Sequence, residues 1–414
     1  MSTHSFVANF LKQNNYLETL KAFEKEHGSP ISTDTGHDES LDQIIQDRVS
    51  FSKDFEILNL LLNDANQAIV DQELPNWSTP YPSTKHKLKE VTGLTVSAAI
   101  VTDKVIASSN DGSISNYDDE GNRLSRKERF LGGVVAKSVV SVGKNDVLIV
   151  GMNGTVYFCR LEGDELVKLS DLALHKGLVV DCGYAEVDLN RYFVTIGWDK
   201  MVKLVKITKD KIDEIATFKL TLAGTCIGIC GYHGRVIVVL GRTESTLLDV
   251  LALENLENNV PELVPVYKIS LNDAEFMANG FTPRCISIAQ GKTKPLIAVA
   301  TSQEPYMRVI IVSLSKEAIE SKDCKVRRGQ ILTNTNSMAP QDKFSQPLIS
   351  WRQPHASGVW AFGEDGIIRC LDVKKQQVVA AIDGHKGRVK CVAMGTKMVT
   401  FGADKEAYRW TEEN

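Results

Sequence analysis

Side chains able to do covalent or metal chemistry are few in this sequence and poorly spaced for it. Its eight histidines are scattered. The eight cysteines, at 159, 182, 226, 230, 285, 324, 370 and 391, form no Cys-x-x-Cys pair and no Cys/His spacing suited to zinc. Most lie in apolar runs, where a free thiol behaves as a small hydrophobe, as expected in a reducing compartment. No Gly-rich phosphate loop, Gly-x-Ser-x-Gly elbow or His-Glu-x-x-His helix occurs. The sequence therefore predicts no catalytic residues, no cofactor and no metal: a protein that is not an enzyme. Recognition chemistry remains. Trp198 stands inside the turn Gly197-Trp198-Asp199-Lys200, where burial is hard, and an aromatic on a rigid loop is a favoured interface anchor. Arg242, Tyr306, Glu364 and Arg388 fall near comparable turns and join it as a candidate partner surface. Residues 321–346, with Lys325, Arg327 and Arg328, read as the longest irregular stretch, a solvated insertion or a second, mobile contact.

Such turns need strands to hold them. From residue 86 to the end, short Val/Ile/Leu/Thr runs alternate with Gly, Asn and Asp turns, interrupted by brief helix signals at 273–278 and 316–320. A strand–turn–strand unit recurs, with Asp111, Asn153, Asp199, Glu244, Glu304, Asp365 and Asp404 marking its turns. The steps between markers are 42, 46, 45, 60, 61 and 39 residues, mostly the length of a four-stranded propeller blade. The fold class expected is mainly β: a seven-bladed propeller over residues 86–414. The chain stops four residues after Trp410, in the third strand of the last blade, so the segment 86–91 is expected to supply the fourth and close the ring.

The last unit resembles a WD repeat. Gly384-His385, Thr400, Asp404 and Trp410 hold that family's His, Ser/Thr, Asp and Trp places, and His175, Thr195 and Asp199 repeat three of the four, with Val205 at the Trp place. The resemblance implies a buried hydrogen-bond network, stabilising when every member is satisfied. His385 is then a structural histidine and no base.

The N-terminal texture is helical. Phe6, Phe10 and Leu11 share one face, and Tyr16, Leu20 and Phe23 repeat the arrangement after a turn at Asn14-Asn15; His27-Gly28-Ser29-Pro30 ends the second helix. The order Phe6-Val7, Phe10-Leu11, Asn15-Tyr16, Thr19-Leu20, Phe23, Glu26 resembles the LisH motif, which implies homodimerisation through those six apolar residues. Glycine is usual at the place of Asn15, and tyrosine at that of Phe10. A hairpin this small cannot bury its own stripe. The organisation expected is a hairpin over 1–30, further amphipathic helices over 31–70 (Ile44, Ile45, Val49, Phe55, Leu58, Leu61, Leu62), a Pro-rich linker over 71–85, and the propeller. Residues 1–84 carry five of the 48 Lys and Arg but thirteen of the 52 Asp and Glu, leaving the body mildly basic. That distribution disfavours nucleic acid as partner. No apolar run reaches membrane-spanning length, and no secretory signal is visible, so cytoplasm or nucleus is expected.

A LisH-like module before a WD-repeat ring resembles a family of scaffolds. It includes the lissencephaly dynein regulator, co-repressor subunits of histone-deacetylase complexes, and ubiquitin-ligase subunits. The resemblance implies a self-associating adaptor presenting propellers to other proteins, with a ligase substrate receptor and a chromatin- or RNA-associated subunit as alternatives.

Overall fold

Neighbouring apolar runs pair antiparallel to build seven sheets in a computed structural model that describes residues 3–33, 41, 42, 45, 65–75, 82–255, 260–272, 280–352, 357–395 and 397–411. The chain divides into two compact units, 1–65 and 66–414.

In the first unit, α1 (Thr3–Gln13) and α2 (Leu17–His27) form the hairpin. Asn15 adopts a left-handed backbone (φ 61°), and the Tyr16 amide donates to the Leu11 carbonyl at 2.8 Å, reversing the chain. Gly28, at φ 81°, caps α2 and donates to the Glu24 carbonyl. The further amphipathic positions Ile44, Val49, Phe55, Leu58, Leu61 and Leu62 lie outside the described residues, as do 273–278; Ile45 is exposed.

The second unit is the propeller. Blades 1, 2, 3 and 6 span 95–127, 136–173, 179–219 and 348–383, each with strands in chain order. Blade 4 (224–270) gains a fifth strand, Val326–Arg327, parallel to Pro261–Ser270. Blade 5 runs from Pro283 to Pro340, with α4 (Lys316–Ser321) between its third and fourth strands. Blade 7 combines three strands from 389–411 with Thr84–Lys87, which pairs with Ala407–Thr411 and so joins both ends of the ring. The closing strand sits at 84–87 rather than 86–91, and Leu88, just beyond it, is buried against blades 7 and 1.

Seven hydrophobic clusters fill the gaps between adjacent blades, one per gap. The gap between blades 7 and 1 packs Phe401 and Val399 against Ala98, Val105 and Tyr117. Burial between sheets, which gives on the order of 25 cal/mol per Å² of apolar surface, holds the ring together. The first strands of successive blades touch one another from blade 7 round to blade 6, forming the innermost layer. Every blade meanders, so its second-to-third-strand turn and the links between blades share one side, here called the turn face. All seven marker residues occupy those turns.

Two segments depart from expectation. Residues 321–346 are not one irregular loop: they hold the extra strand of blade 4 and Ile331–Pro340, the fourth strand of blade 5. Polar Thr333, Thr335 and Ser337 alternate inward there, which hid the strand from a reading based on apolar alternation. Secondly, a helix described over residues 65–73, α3, continues where a linker is expected from 71. Val70 and Leu74 join the cluster between blades 5 and 6, and Asn66 donates to the Ile331 carbonyl at 2.7 Å. The carboxylate of Glu73 accepts from the Thr293 hydroxyl and from the amides of Thr293 (2.7 Å) and Lys294 (3.2 Å). Burial alone would raise the Glu73 pKa, but these donors hold it below the usual carboxylate value. The segment 66–74 is thus a strap across the side opposite the turn face.

Candidate functional site

The turn face is built from inside outward, beginning with what makes its turns rigid. In blade 7, His385 Nδ1 lies 3.1 Å from Asp404 and Nε2 lies 2.8 Å from Thr400 Oγ1, which also accepts from Trp410 Nε1 at 2.9 Å. Asp404 further accepts the amides of Lys386 and Glu406. Polarity fixes the order: the indole donates to the hydroxyl, the hydroxyl to Nε2, and Nδ1–H to the carboxylate. Every member is satisfied with His385 neutral. Burial lowers its pKa despite Asp404; Asp404 itself, pushed up by burial, is held low on balance by the two amides and the imidazole. A Cβ on Gly402 would overlap both His385 and Asp404, so only glycine lets the imidazole lie against that strand.

Blade 3 repeats the arrangement: His175 is 2.9 Å from Asp199 and 2.8 Å from Thr195. Val205, buried at the Trp place, leaves the Thr195 hydroxyl with only a long 3.4 Å contact to the Lys203 carbonyl besides the imidazole. Two other blades tie the turn aspartate with arginine instead. Arg369 grips Asp365 through two hydrogen bonds (2.6 and 3.0 Å), and Arg126 reaches Asp111 at 2.9 Å. Burial would raise the Asp365 pKa, but Arg369 and the Ile367 amide hold it low. The repeat's polar tie persists there with different chemistry, which a search for the His/Asp pair does not find.

Exposed apolar side chains stand on the same turn face. Trp198 is 69% exposed in the blade 3 turn, and Tyr306, opening the third strand of blade 5, is 39% exposed. Two more lie on the same face: Met152, 43% exposed in the blade 2 turn, and Phe344, 76% exposed in the link between blades 5 and 6. Phe344 was findable as the one aromatic in the polar run Gln341–Gln346. Arg388 and Glu364 meet across adjacent turns at 3.4 Å, with the Arg388 guanidinium also donating to Gln346 at 3.0 Å. Arg242 faces inward instead. It pairs with Asp249 at 2.7 Å beside a cavity of about 300 Å³ between blades 3 and 4, walled by Phe218, Leu251 and Tyr267. The five candidates thus share a face but not a cluster.

In the hairpin, Phe10 and Tyr16 rings lie 6.4 Å apart and His4 stacks on Phe23. No residue of α2 is buried; Phe6, Phe10, Leu11, Leu20 and Phe23 are half-buried and Tyr16 is exposed. Among the described residues no group of three His, Cys, Asp or Glu could hold a metal ion, and no helix is long and apolar enough to cross a membrane.

Comparison with known proteins places this geometry. A family described as UCP007778, beta-propeller domain, matches residues 58–411, and its LisH domain matches residues 1–33. The chain is also 24% identical over 473 aligned positions to a Saccharomyces cerevisiae protein named "Uncharacterized protein YGR117C", covering 98% of this chain and 96% of that protein.

Proposed function

The chain belongs to the UCP007778 family of LisH-containing β-propellers, and from that premise we propose that it is a non-catalytic, self-associating adaptor whose propeller binds partner proteins through its turn face. The observation that carries the binding role is the set of four exposed apolar side chains, Met152, Trp198, Tyr306 and Phe344, on one side of a rigid ring. An exposed aromatic at a tied-down turn, as Trp198 is beside the His175–Asp199 pair, loses little entropy on binding and serves as an interface anchor. The strap of residues 66–74 covers part of the opposite side, which favours the turn face further. Self-association is supported by α2, which buries none of its side chains. The eight free thiols suit the reducing conditions of cytoplasm or nucleus, where the adaptor is expected to act.

Affinity purification of the tagged full chain, compared with W198A/F344A and with L189A on the opposite face, tests the binding role. Leu189 is 92% exposed and serves as a matched control. Partners lost only in the double variant support the assignment; partners retained in all three contradict it.

A further inference from the structure

Six of the seven innermost strands carry the same irregularity near their entry from the turn face. The pairing register skips one residue: Val96, Lys137, Val180, Thr225, Arg284 and Lys390 in blades 1, 2, 3, 4, 5 and 7. A bulge re-aims the side chain it carries. Three of these six are cations and none is an anion. Just before the blade 7 bulge stands Arg388.

The charges around this ring do not balance. Lys137 and Lys390 are half-buried and hold the same bulge position on the innermost strands of blades 2 and 7, both of which contact the innermost strand of blade 1. Neither makes a side-chain hydrogen bond or ion pair among the described residues. Two acids lie nearby. Glu364 is held by Arg388 at 3.4 Å, and Asp181 accepts the amides of Cys182 (2.8 Å) and Ile227 (2.9 Å), stitching blade 3 to blade 4. Burial raises the Asp181 pKa. Burial and repulsion from Arg388 and Lys137 lower the Lys390 pKa. Half-buried cations without a partner are unfavourable, and an incoming anion relieves both the desolvation and the repulsion.

Resting on the turn face as the partner surface, we propose that the ring of innermost-strand bulges is an anion-recognition site, and that the propeller's partner is a polypeptide inserting an acidic segment between Lys137 and Lys390. The exposed Trp198 and Phe344 then receive apolar residues flanking that segment. Nucleic acid fits worse, because the body as a whole carries 43 basic against 39 acidic residues, too small an excess for the strong field that tracks a phosphate backbone.

The test uses the full-length protein and fluorescein-labelled peptides in anisotropy titrations. The probe is a hexaglutamate segment flanked by Gly-Trp-Gly; the matched probes carry hexaglutamine, a phosphoserine pair, or single-stranded oligothymidine of equal charge. The glutamate peptide is expected to bind at least tenfold more tightly than the glutamine one. K137Q/K390Q, checked for an unchanged melting temperature, should lose that preference, while K144Q/K211Q on the opposite face keeps it. Equal binding of glutamate and glutamine peptides, an indifferent K137Q/K390Q, or tighter lysine-dependent binding of phosphoserine or oligothymidine overturns the proposal. Should W198A/F344A abolish partner capture while the peptides show no charge preference, the turn-face assignment stands and the acidic-segment inference alone falls.

Discussion

At the scale of single residues, the His385–Thr400–Trp410 chain was legible because its side-chain types are unusual and their spacing is fixed by the blade. Its arginine counterpart at Asp365–Arg369 was not, since an Asp and an Arg four apart look like any surface pair until burial is known. Thr400→Ala removes the hydroxyl that serves both His385 and Trp410, so a loss of about 1–3 kcal/mol is expected from two orphaned buried groups. Gly402→Ala should cost as much through overlap with His385 and Asp404; urea unfolding checks both. The pH dependence follows from direction. Folding depresses the His385 pKa, so the unfolded chain takes up more protons below the reference value of 6.5. The network's contribution is complete above that pH and is lost as the pH falls below it. Asp404, also depressed, keeps its contribution until far more acidic conditions. Wild-type protein should therefore lose more stability than His385→Gln between pH 7.5 and 5.5, and equal losses would contradict the neutral histidine. The thiols give a simpler check. Burial pushes Cys159, Cys182, Cys230, Cys285, Cys370 and Cys391 up to about 12 and Cys226 further, while Cys324 is exposed. Ellman's reagent at pH 8 should titrate about one thiol rapidly in the native protein and all eight in denaturant.

At the scale of elements, turn spacing carried the blade count, since each four-stranded unit needs nearly constant chain length and places its Asp, Asn or Glu at the same corner. Two long steps blurred the pattern, and the surplus of the second, from Glu304 to Asp365, proved to be α4 and the parallel strand added to blade 4. The strap was illegible for a different reason. Val70 read as the end of an amphipathic stretch and Leu74 as linker, and nothing local tells that their partners are Leu332, Ile349 and Trp351, hundreds of residues away. Leu74→Ala is expected to cost about 2–5 kcal/mol at the blade 5–6 seam. Glu73→Ala leaves the Thr293 and Lys294 amides without their acceptor and should speed proteolysis near residue 75. A stable, protease-resistant Leu74→Ala protein would show that the strap is dispensable. Closure makes a parallel demand on the other end. Deleting residues through Lys87 removes the fourth strand of blade 7, exposes the edge of Ala407–Thr411, and should yield aggregated protein, whereas a chain beginning at 66 retains a closed ring.

At the scale of the whole molecule, the two units have different reasons to exist. The ring satisfies itself: a hydrophobic cluster in each of its seven gaps and a shared last blade close it. The hairpin does not, because 11-residue helices with no buried side chain on the second cannot stand alone. A second copy is the partner we propose for it, and doubling the ring would raise the avidity of turn-face contacts. The most direct measurement is the solution mass of the full chain by multi-angle light scattering, beside a Phe10→Glu/Leu20→Glu variant. The account predicts about twice the chain mass of 45.7 kDa for the wild type and a single chain mass for the variant, with the same circular-dichroism signature of the propeller. A monomeric wild type, or a variant whose mass does not change, would contradict it.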